Sequence, residues 1–254
     1  MIGSVSLAGS ESGLWSVCGG NKQIPISLLK ASGANFYPIQ VDSIQLTRTD
    51  KFELYLKDVN DIPTYDAVII ATPLTKDTSS LRFVDFPTQF TFPGRYHQII
   101  TTMVQGQLNY KTFQFKDEAS ALDEILTINS SVFFNSLSKN YPVDMDDDDD
   151  VKEMPSVWKV FSNDPLTKEQ LGSLFLSMNE IHEIHWKAYP NYENASQPHG
   201  NFTLHPGLYH INTIEWAASA MEMAVIGARN VALLTASHFG IDIQDPTNIF
   251  HDEL

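Results

Sequence analysis

The chain has 254 residues, 43% of them hydrophobic and 19% charged, a composition typical of one large or two modest globular domains. Its formal net charge of -15 at pH 7 argues against a nucleic-acid-binding protein, which needs a basic surface, and against adsorption to an anionic membrane. Because no apolar run reaches about 18 residues, the sequence predicts no membrane-spanning helix. Cys18 is the one cysteine, so no internal disulfide is possible, and we interpret it as an inert thiol.

Helix and strand signals alternate over the first 80 residues. Residues 22–30 predict a helix that ends near Gly33. Residues 36–46 and 52–57 predict strands. The apolar run at 65–71 is typical of a strand that is buried on both faces.

The middle of the chain has a different pattern. Residues 97–108 and 156–162 predict strands, and the aspartate-rich run at 144–150 predicts a solvated loop. Residues 167–186 predict one helix, because five apolar residues fall on one face at helical spacing: Leu171, Leu174, Phe175, Met178 and Ile181.

The last stretch predicts a loop followed by a long helix at 213–237. Asn212 and Glu215 have the spacing of a capping box, although Asn stands where Ser or Thr is usual. Small residues follow at 217–220, and they would let the helix start approach a cofactor or a sheet closely. An ordinary buried helix packed through its alanines explains the same pattern.

The two ends of the chain give conflicting indications of location. Residues 1–10 lack the basic residue and the apolar core of a signal peptide, whereas the final HDEL has the form of an endoplasmic-reticulum retention signal. Three N-glycosylation acceptors also occur, at Asn129, Asn194 and Asn201. We therefore expect a lumenal protein whose natural N-terminus precedes Met1.

Several blocks, in their order and spacing, resemble prenylcysteine oxidases along most of the chain. They are GSVSLAGS at 3–10, GLWSV at 13–17, GGNK at 19–22, YDAVIIATPL at 65–74, VWKVFS at 157–162, LTK at 166–168 and NTIEWAASAMEM at 212–223. The resemblance implies the C-terminal part of an amine-oxidase-like FAD/NAD(P)-binding α/β fold with an α+β substrate-binding insert. It also implies an FAD-dependent oxidase that cleaves the thioether of farnesyl- or geranylgeranyl-cysteine. Oxygen would be the acceptor, and the products would be cysteine, a prenyl aldehyde and hydrogen peroxide.

The sequence departs from the family in one respect. No G-x-G-x-x-G occurs, so the pyrophosphate of a dinucleotide would lack its usual loop and helix N-terminus. We therefore expect an N-terminally truncated form that does not bind FAD tightly by itself. The alternative is a non-catalytic lumenal protein of the same fold that binds lipid or a partner.

The resemblance also implies a division of the chain and a set of site residues. Residues 1–80 and 195–254 would contact FAD, and residues 81–194 would bind the prenyl substrate. The implied cofactor-binding residues are Ala71, Thr72, Pro73, Asn212, Glu215, Ala217 and Ala218. The implied substrate-binding residues are Trp15, Gly19, Gly20, Asn21 and Lys22. No catalytic acid or base is predicted, because the flavin performs the oxidation.

Alternatives remain for several of these residues. Pro73 has an equally simple role in ending a strand, and paired glycines mark turns before they mark ligand sites. His182 and His185 lack a third metal ligand, and His199, His205 and His210 lack regular spacing, so no metal site is predicted. The family resemblance favours a lysosomal location and the HDEL tail favours the endoplasmic reticulum. The oligomeric state is left open.

Overall fold

The computed structural model describes residues 17–116, 123–141, 155–192 and 200–243, which fall into two compact units. The first unit contains residues 36–96 and the described residues from 189 onward. The second contains the described residues up to 35 and those between 97 and 188. Both units contain helix and strand, as the predicted α/β class requires. The functional division at 80 and 194 stays a prediction, since compactness does not test what a segment binds.

The second unit begins with a helix, α1 (Gln23–Ser32), which ends where the sequence predicted. Gly33 follows it with a φ of 65°, a left-handed conformation that favours glycine at the end of a helix. No residue of α1 is buried.

Five strands follow in the first unit: β1 (Val41–Leu46), β2 (Phe52–Leu56), β3 (Thr64–Tyr65), β4 (Val68–Ile70) and β5 (Arg82–Val84). Four of them form a sheet with the order β3-β2-β1-β5, in which β1 is antiparallel to β2 and parallel to β5. The predicted strand at 36–46 is shorter, because Pro38 has no N–H for a ladder bond. Ile44 and Phe52 form the centre of the core beneath this sheet.

A three-stranded sheet completes the strands of the first unit. Its additional strands are β11 (Thr203–His205) and β12 (Leu208–His210), and its order is β11-β12-β4. The expectation that residues 65–71 are buried on both faces is wrong, because the side chain of Ile69 is 44% exposed. The reason is its place in the sheet: β4 is an edge strand, and its neighbour in the described residues is β12.

The second unit is built on a five-stranded sheet with the order β10-β6-β9-β8-β7. Its strands are β6 (Tyr96–Leu108), β7 (Glu124–Leu126), β8 (Ser136–Asn140), β9 (Val157–Ser162) and β10 (Phe175–Pro190). The predicted strands at 97–108 and 156–162 are therefore confirmed. One face buries a core that includes Val104, Leu137 and Val160. The aspartate run at 144–150 lies outside the described residues.

The prediction of one helix at 167–186 is wrong after its first turns. A helix, α2 (Lys168–Leu174), begins with a capping box between Thr167 and Gln170, and the chain then becomes β10. β10 lies beside β6, and the Asn109 N–H donates to the Leu174 carbonyl at 2.7 Å. Pairing with the neighbouring strand outweighs the local preference for helix that the apolar spacing indicated, because such a local preference is weak by itself.

The predicted helix at 213–237 also begins later than expected. Residues Ile211–Trp216 form a 3₁₀ turn, and the α-helix, α3 (Met221–His238), starts nine residues after Asn212. Asn212 therefore does not cap an α-helix; its side-chain amide donates to the Glu215 carboxylate at 3.0 Å. Within the described residues, no helix is long and apolar enough to cross a membrane.

Candidate functional site

Two segments that were predicted separately to contact a cofactor lie at one edge of the three-stranded sheet. β4 and β12 are parallel, with Ile70 in register with His210. Ala71–Thr72–Pro73 follows the first of these strands, and the 3₁₀ turn that contains Asn212 and Glu215 follows the second. The carboxyl edge of parallel strands is where α/β sheets usually bind their ligands.

His210 links these two segments directly. Its Nε2 lies 3.2 Å from the Thr72 carbonyl oxygen, and its Nδ1 lies 3.1 Å from the Thr213 hydroxyl. The side chain is only 5% exposed, and burial lowers the pKa of His210 to about 4, despite the hydrogen bond to the Thr72 carbonyl. At neutral pH the ring is therefore uncharged, so Nε2–H donates to Thr72 and Nδ1 accepts from Thr213.

A second polar cluster is centred on Glu215. The Tyr96 hydroxyl donates to one carboxylate oxygen, and the Asn212 amide donates to the other at 3.0 Å. The Tyr192 hydroxyl donates to the Glu215 backbone carbonyl at 2.8 Å. Burial, followed by the hydrogen bond to Glu215, raises the pKa of Tyr96 far above the ordinary phenol value. The phenol therefore remains a donor, and it holds the 3₁₀ turn in place.

One buried acceptor in this cluster is unused. The side-chain oxygen of Asn212 is buried and has no hydrogen-bond partner among the described residues. A buried polar atom without a partner costs about 1–3 kcal/mol, so such an atom calls for an explanation. The amide group of Asn212 thus offers an acceptor at the same sheet edge.

A glycine lets the turn pack against the start of β6. Gly94 has a φ of +92°, and a Cβ placed on it would overlap the indole of Trp216. Trp216 also meets the Tyr96 ring edge-on, with the ring centroids 6.2 Å apart. This contact requires glycine for two reasons, the left-handed backbone and the absence of space.

The start of α3 carries no capping side chain. Ala220 precedes the helix in an extended conformation, and Glu222 is an acidic residue in the first turn. Ala217 and Ala218 both donate their N–H groups to the Ile214 carbonyl, at 2.9 and 3.2 Å. The residues 217–220, predicted to lie within a helix, therefore connect the 3₁₀ turn to α3. Ala217 is exposed and Ala218 is half-buried.

A cavity of about 430 Å³ lies beside the end of β4. Aliphatic side chains of the four-stranded sheet and of β4 form part of its lining, among them Ile44, Leu54 and Val68. Hydroxyl-bearing residues line it as well, among them Thr72 and Thr78. Ala71 and Thr72, both predicted to bind the cofactor, therefore line a cleft that accepts apolar and hydrogen-bonding groups together.

The predicted substrate-binding residues belong to the second unit. Gly19 and Gly20 form a turn before α1 with φ values of 77° and 86°, and Asn21 and Lys22 are exposed. Trp15 lies outside the described residues. Their role in substrate binding stays a prediction.

Two of the three predicted glycosylation acceptors are described and exposed. The Asn129 side-chain oxygen accepts from the Ser131 backbone N–H at 3.0 Å and from the Ser131 hydroxyl at 2.8 Å. Asn201 lies at the surface just before β11, and Asn194 is outside the described residues.

The histidines lie in other secondary-structure elements than the sequence predicted. His182 and His185 lie on β10 and not on a helix, and each ring nitrogen lies 2.7 Å from a neighbouring carboxylate, Glu180 or Glu183. His205 and His210 lie on β11 and β12 and not in a loop. In the described part of the chain, no three His, Cys, Asp or Glu residues are grouped closely enough to hold a metal ion.

Sequence reasoning missed the structural roles of His210, Tyr96, Tyr192 and Gly94. The sequence does carry a signal that His210 is buried, because it directly follows two apolar residues, Leu208 and Tyr209. The structure buries both, at 0% and 3% exposure. The two tyrosines carried no local signal, because their common partner, Glu215, is distant in sequence.

The model of a family described as prenylcysteine lyase matches residues 1–246. Prenylcysteine oxidase 1 of Rattus norvegicus is 38% identical over 252 residues, which cover 92% of this chain and 49% of that protein. The Homo sapiens protein of the same name is 38% identical over 248 residues, with the same two coverages, 92% and 49%. Prenylcysteine oxidase 1-like of Bos taurus is 36% identical over 261 residues, covering 98% of this chain and 53% of the relative.

This chain therefore spans about half the length of the curated relatives it matches. Among solved structures, cyclohexylamine oxidase from Brevibacterium oxydans IH-35A aligns with a TM-score of 0.53 at 14% identity. The alignment covers 86% of this chain and 53% of that one, and at this identity it shows the fold alone. The predicted amine-oxidase-like fold is confirmed, and the chain belongs to the prenylcysteine lyase family.

Proposed function

We propose that this chain forms the part of a prenylcysteine oxidase that holds the flavin and binds the prenyl thioether. One observation carries the proposal: Ala71–Pro73 and the Asn212–Glu215 turn, far apart in sequence, meet at one sheet edge through His210. The family and the amine-oxidase fold together imply a flavin cofactor. That the flavin is FAD is part of the proposal.

The residues at this edge suit a flavin. Asn212 supplies a buried acceptor for a ring N–H, and α3 begins with backbone N–H groups that no side chain caps. The positive end of the helix dipole favours negative charge by about 0.3–1 kcal/mol. The small residues at 217–220 leave room for a flat ring. A flavin bound here would accept two electrons from the substrate and pass them to oxygen.

His210, Tyr96 and Glu215 position the groups that would touch the cofactor. The neutral His210 ring fixes the Thr72 carbonyl relative to Thr213 without adding a positive charge near the flavin. Tyr96 fixes the Glu215 carboxylate, which in turn orients the Asn212 amide. These contacts hold the cofactor-binding atoms in one geometry, which lowers the entropy cost of binding.

The proposed substrate is farnesyl- or geranylgeranyl-cysteine. The prenyl carbon next to sulfur is oxidised by two electrons, water supplies the aldehyde oxygen, and the carbon–sulfur bond breaks to release cysteine. Oxygen takes the two electrons and becomes hydrogen peroxide. We assign the prenyl chain to residues 81–194, and burial of each CH₂ contributes about 0.8 kcal/mol. Trp15, Gly19, Gly20, Asn21 and Lys22 stay the proposed substrate-binding residues.

We also propose a location in the lumen of the secretory pathway, either the lysosome or the endoplasmic reticulum. The exposed acceptors Asn129 and Asn201 are compatible with glycosylation there. Expression behind a signal peptide followed by glycosidase treatment tests this point. An unchanged electrophoretic mobility would show that neither acceptor is used.

The test of function joins this chain to the N-terminal half of the Rattus norvegicus relative. We expect the joined protein to carry flavin absorption and to release hydrogen peroxide when farnesylcysteine is added, while the chain alone carries little flavin. Ala218→Leu should lower flavin content and slow flavin reduction in a single turnover. Ala232→Leu makes the same change at an exposed position farther along α3 and serves as the control.

Three outcomes are distinguishable. Normal flavin content and normal reduction in the Ala218→Leu variant would remove the start of α3 from the cofactor site. Bound flavin without peroxide formation from farnesylcysteine would refute the substrate assignment. A joined protein that folds, binds prenylcysteine and takes up no flavin would favour the non-catalytic lipid-binding alternative.

A further inference from the structure

The outer edge of β10 is long, exposed and apolar. β10 is the terminal strand of the five-stranded sheet, and every residue from Leu176 to Lys187 is exposed. Five large apolar side chains along it are partly exposed, with exposed fractions of 38% to 55%: Leu176, Met178, Ile181, Ile184 and Trp186, whose indole N–H donates to the Thr101 hydroxyl. In the described residues no strand lies beyond this edge.

The central part of β10 lacks several of the usual protections of an edge strand, although Lys187 and Pro190 stand near its end. Natural edges carry lysine, proline, bulges or short strands that prevent pairing with another chain. Residues 176–186 contain no Lys, Arg, Pro or Gly. The opposite edge of the same sheet is β7, which has only three residues. The β10 edge is therefore more open to pairing with a strand of another chain than the β7 edge is.

The sequence of β10 is complementary to a second copy of itself when the two strands pair antiparallel with Ile181 opposite Ile181. Directly opposed residues of an antiparallel ladder point to the same face, so a closed two-fold axis must pass beside a single residue. With the axis at Ile181, Glu180 lies opposite His182 of the partner subunit. Met178 then lies opposite the partner's Ile184, and Leu176 lies opposite the partner's Trp186.

The neighbouring registers lack this complementarity. An axis at His182 places Glu180 opposite Ile184 of the partner subunit, so a charged group faces an apolar one. An axis at Glu183 places two carboxylates opposite each other, which is destabilising in a ladder. Only the axis at Ile181 joins acid to histidine and apolar to apolar on the same face.

We propose that β10 pairs with β10 of a second copy of this chain, antiparallel and centred on Ile181, to form a continuous ten-stranded sheet. The observations behind this homodimer are the open edge, the exposed apolar residues and the reversed charge pattern of residues 176–186. The proposal goes beyond the proposed function and does not depend on it. Each chain has a net charge of -15, so the pairing is tested at physiological ionic strength, where distant charges are screened.

The first test measures mass against concentration by light scattering or sedimentation. We expect the mean mass to rise toward twice the monomer's 28.5 kDa as concentration increases. Ile181→Lys should weaken dimerisation by about tenfold or more, because it places two like charges opposite each other. Leu126→Lys makes a comparable change on β7, where Leu126 is 60% exposed, and should leave dimerisation unchanged. A wild-type chain that stays monomeric would overturn the proposal and leave this edge to a different polypeptide.

The second test fixes the register by cross-linking in a Cys18→Ser background. Ile181→Cys should form an intermolecular disulfide under mild oxidation, because opposed Cα atoms lie about 4.5–5.5 Å apart, within disulfide range. Asn179→Cys should not, because the two copies of that position are displaced along the strands. Cross-linking at position 179 without cross-linking at 181 would overturn the proposed register.

The third test exchanges the charged pair. Glu180→Lys should weaken the dimer, since it opposes the partner's His182. The double variant Glu180→His with His182→Glu recreates the same pair in reverse and should restore dimerisation. Failure of the double variant to restore it, with the fold intact by circular dichroism, would contradict the acid–histidine contact.

Discussion

Buried polar groups are arranged differently in the two units. At the sheet edge of the first unit, Glu215 accepts from Tyr96 and Asn212, and His210 bonds to the Thr72 carbonyl and the Thr213 hydroxyl, while the Asn212 side-chain oxygen has no partner among the described residues. The hydrophobic core of the five-stranded sheet is flanked by polar groups that form single hydrogen bonds, such as the Ser162 hydroxyl to the Asp164 carbonyl at 2.7 Å, or none, such as the buried Trp158 N–H, which has no partner among the described residues. The nearby Thr102 hydroxyl, also buried, has none either.

This difference indicates what each region contributes. An apolar core specifies volume and tolerates repacking, whereas a hydrogen-bonded network fixes the positions of individual atoms and their protonation states. Changes in the second unit should therefore act mainly on stability. Changes in the first should also alter the pH dependence of stability, which makes it the better place for the proposed site.

The largest expected effect tests packing in the second unit. Gly106 lies where β6 approaches β10, and a Cβ at this position would overlap the Ser177 backbone carbonyl. Because backbone and not a flexible side chain must move, Gly106→Ala should lower the free energy of unfolding by about 3 kcal/mol or more. Urea unfolding followed by tryptophan fluorescence measures it.

Gly172→Ala is the matched control for that change. Gly172 is exposed within α2, and nothing lies within 4 Å of its added Cβ. Alanine should stabilise the helix by about 0.5–1 kcal/mol. Equal destabilisation by both substitutions would contradict the close contact of β6 with β10.

The next effect concerns the pH dependence that His210 should confer on the first unit. Burial lowers the folded-state pKa to about 4, whereas an unfolded histidine titrates near its ordinary value of 6.5. Between these values the unfolded state binds more protons, so stability falls as pH drops from about 6.5 to 4, by on the order of 3 kcal/mol in total. His210→Gln should remove this slope and cost about 1–2 kcal/mol at pH 7.

Free energies of unfolding, measured for both proteins at intervals from pH 4 to 7.5, test this pH dependence. The stability advantage of wild type over His210→Gln should shrink as the pH falls and reverse as the pH approaches 4. Parallel curves would show that His210 is not buried in its neutral form, and the contrast between the two units would lose its main support.

The smallest effect compares two tyrosines in one cluster. Tyr96 donates to a carboxylate and Tyr192 donates to a backbone carbonyl, both of Glu215. Tyr96→Phe should therefore lower the free energy of unfolding by about 2 kcal/mol and Tyr192→Phe by about 1 kcal/mol, because hydrogen bonds to charged groups are stronger.

Burial and the hydrogen bond to Glu215 raise the Tyr96 pKa, so wild-type stability should fall as pH rises above 10.0, and Tyr96→Phe should reduce that fall. Equal costs for the two variants would contradict a stronger hydrogen bond from Tyr96 than from Tyr192.

The elements that sequence predicted well are those whose ends carry their own signals. Gly33 ends α1 by its left-handed backbone, and the β-branched run at 97–108 became β6. The helix predicted at 167–186 failed because its apolar spacing fits a helix and the outer strand of a sheet alike. Only the presence of β6 beside it decides between them.

The candidate site shows the same limit. Ala71–Pro73 and Asn212–Glu215 were identified from their own residues and from the family resemblance, and the structure brings them together. His210, which joins them, is in the sequence only one of three irregularly spaced histidines, with His199 and His205. Its partners Thr72 and Thr213 are set by the parallel pairing of β4 and β12, which no local pattern predicts.

The sequence by itself indicated the family and its amine-oxidase-like fold, because the order of the motifs along the chain resembles that family, and it predicted two segments that would contact a cofactor. Only the tertiary structure decided that α3 starts at Met221, that β10 is a strand with an open edge, and that His210 is buried in its neutral form. The physical reason is that these features depend on contacts between residues far apart in sequence. Strand pairing and desolvation exist only after those contacts form.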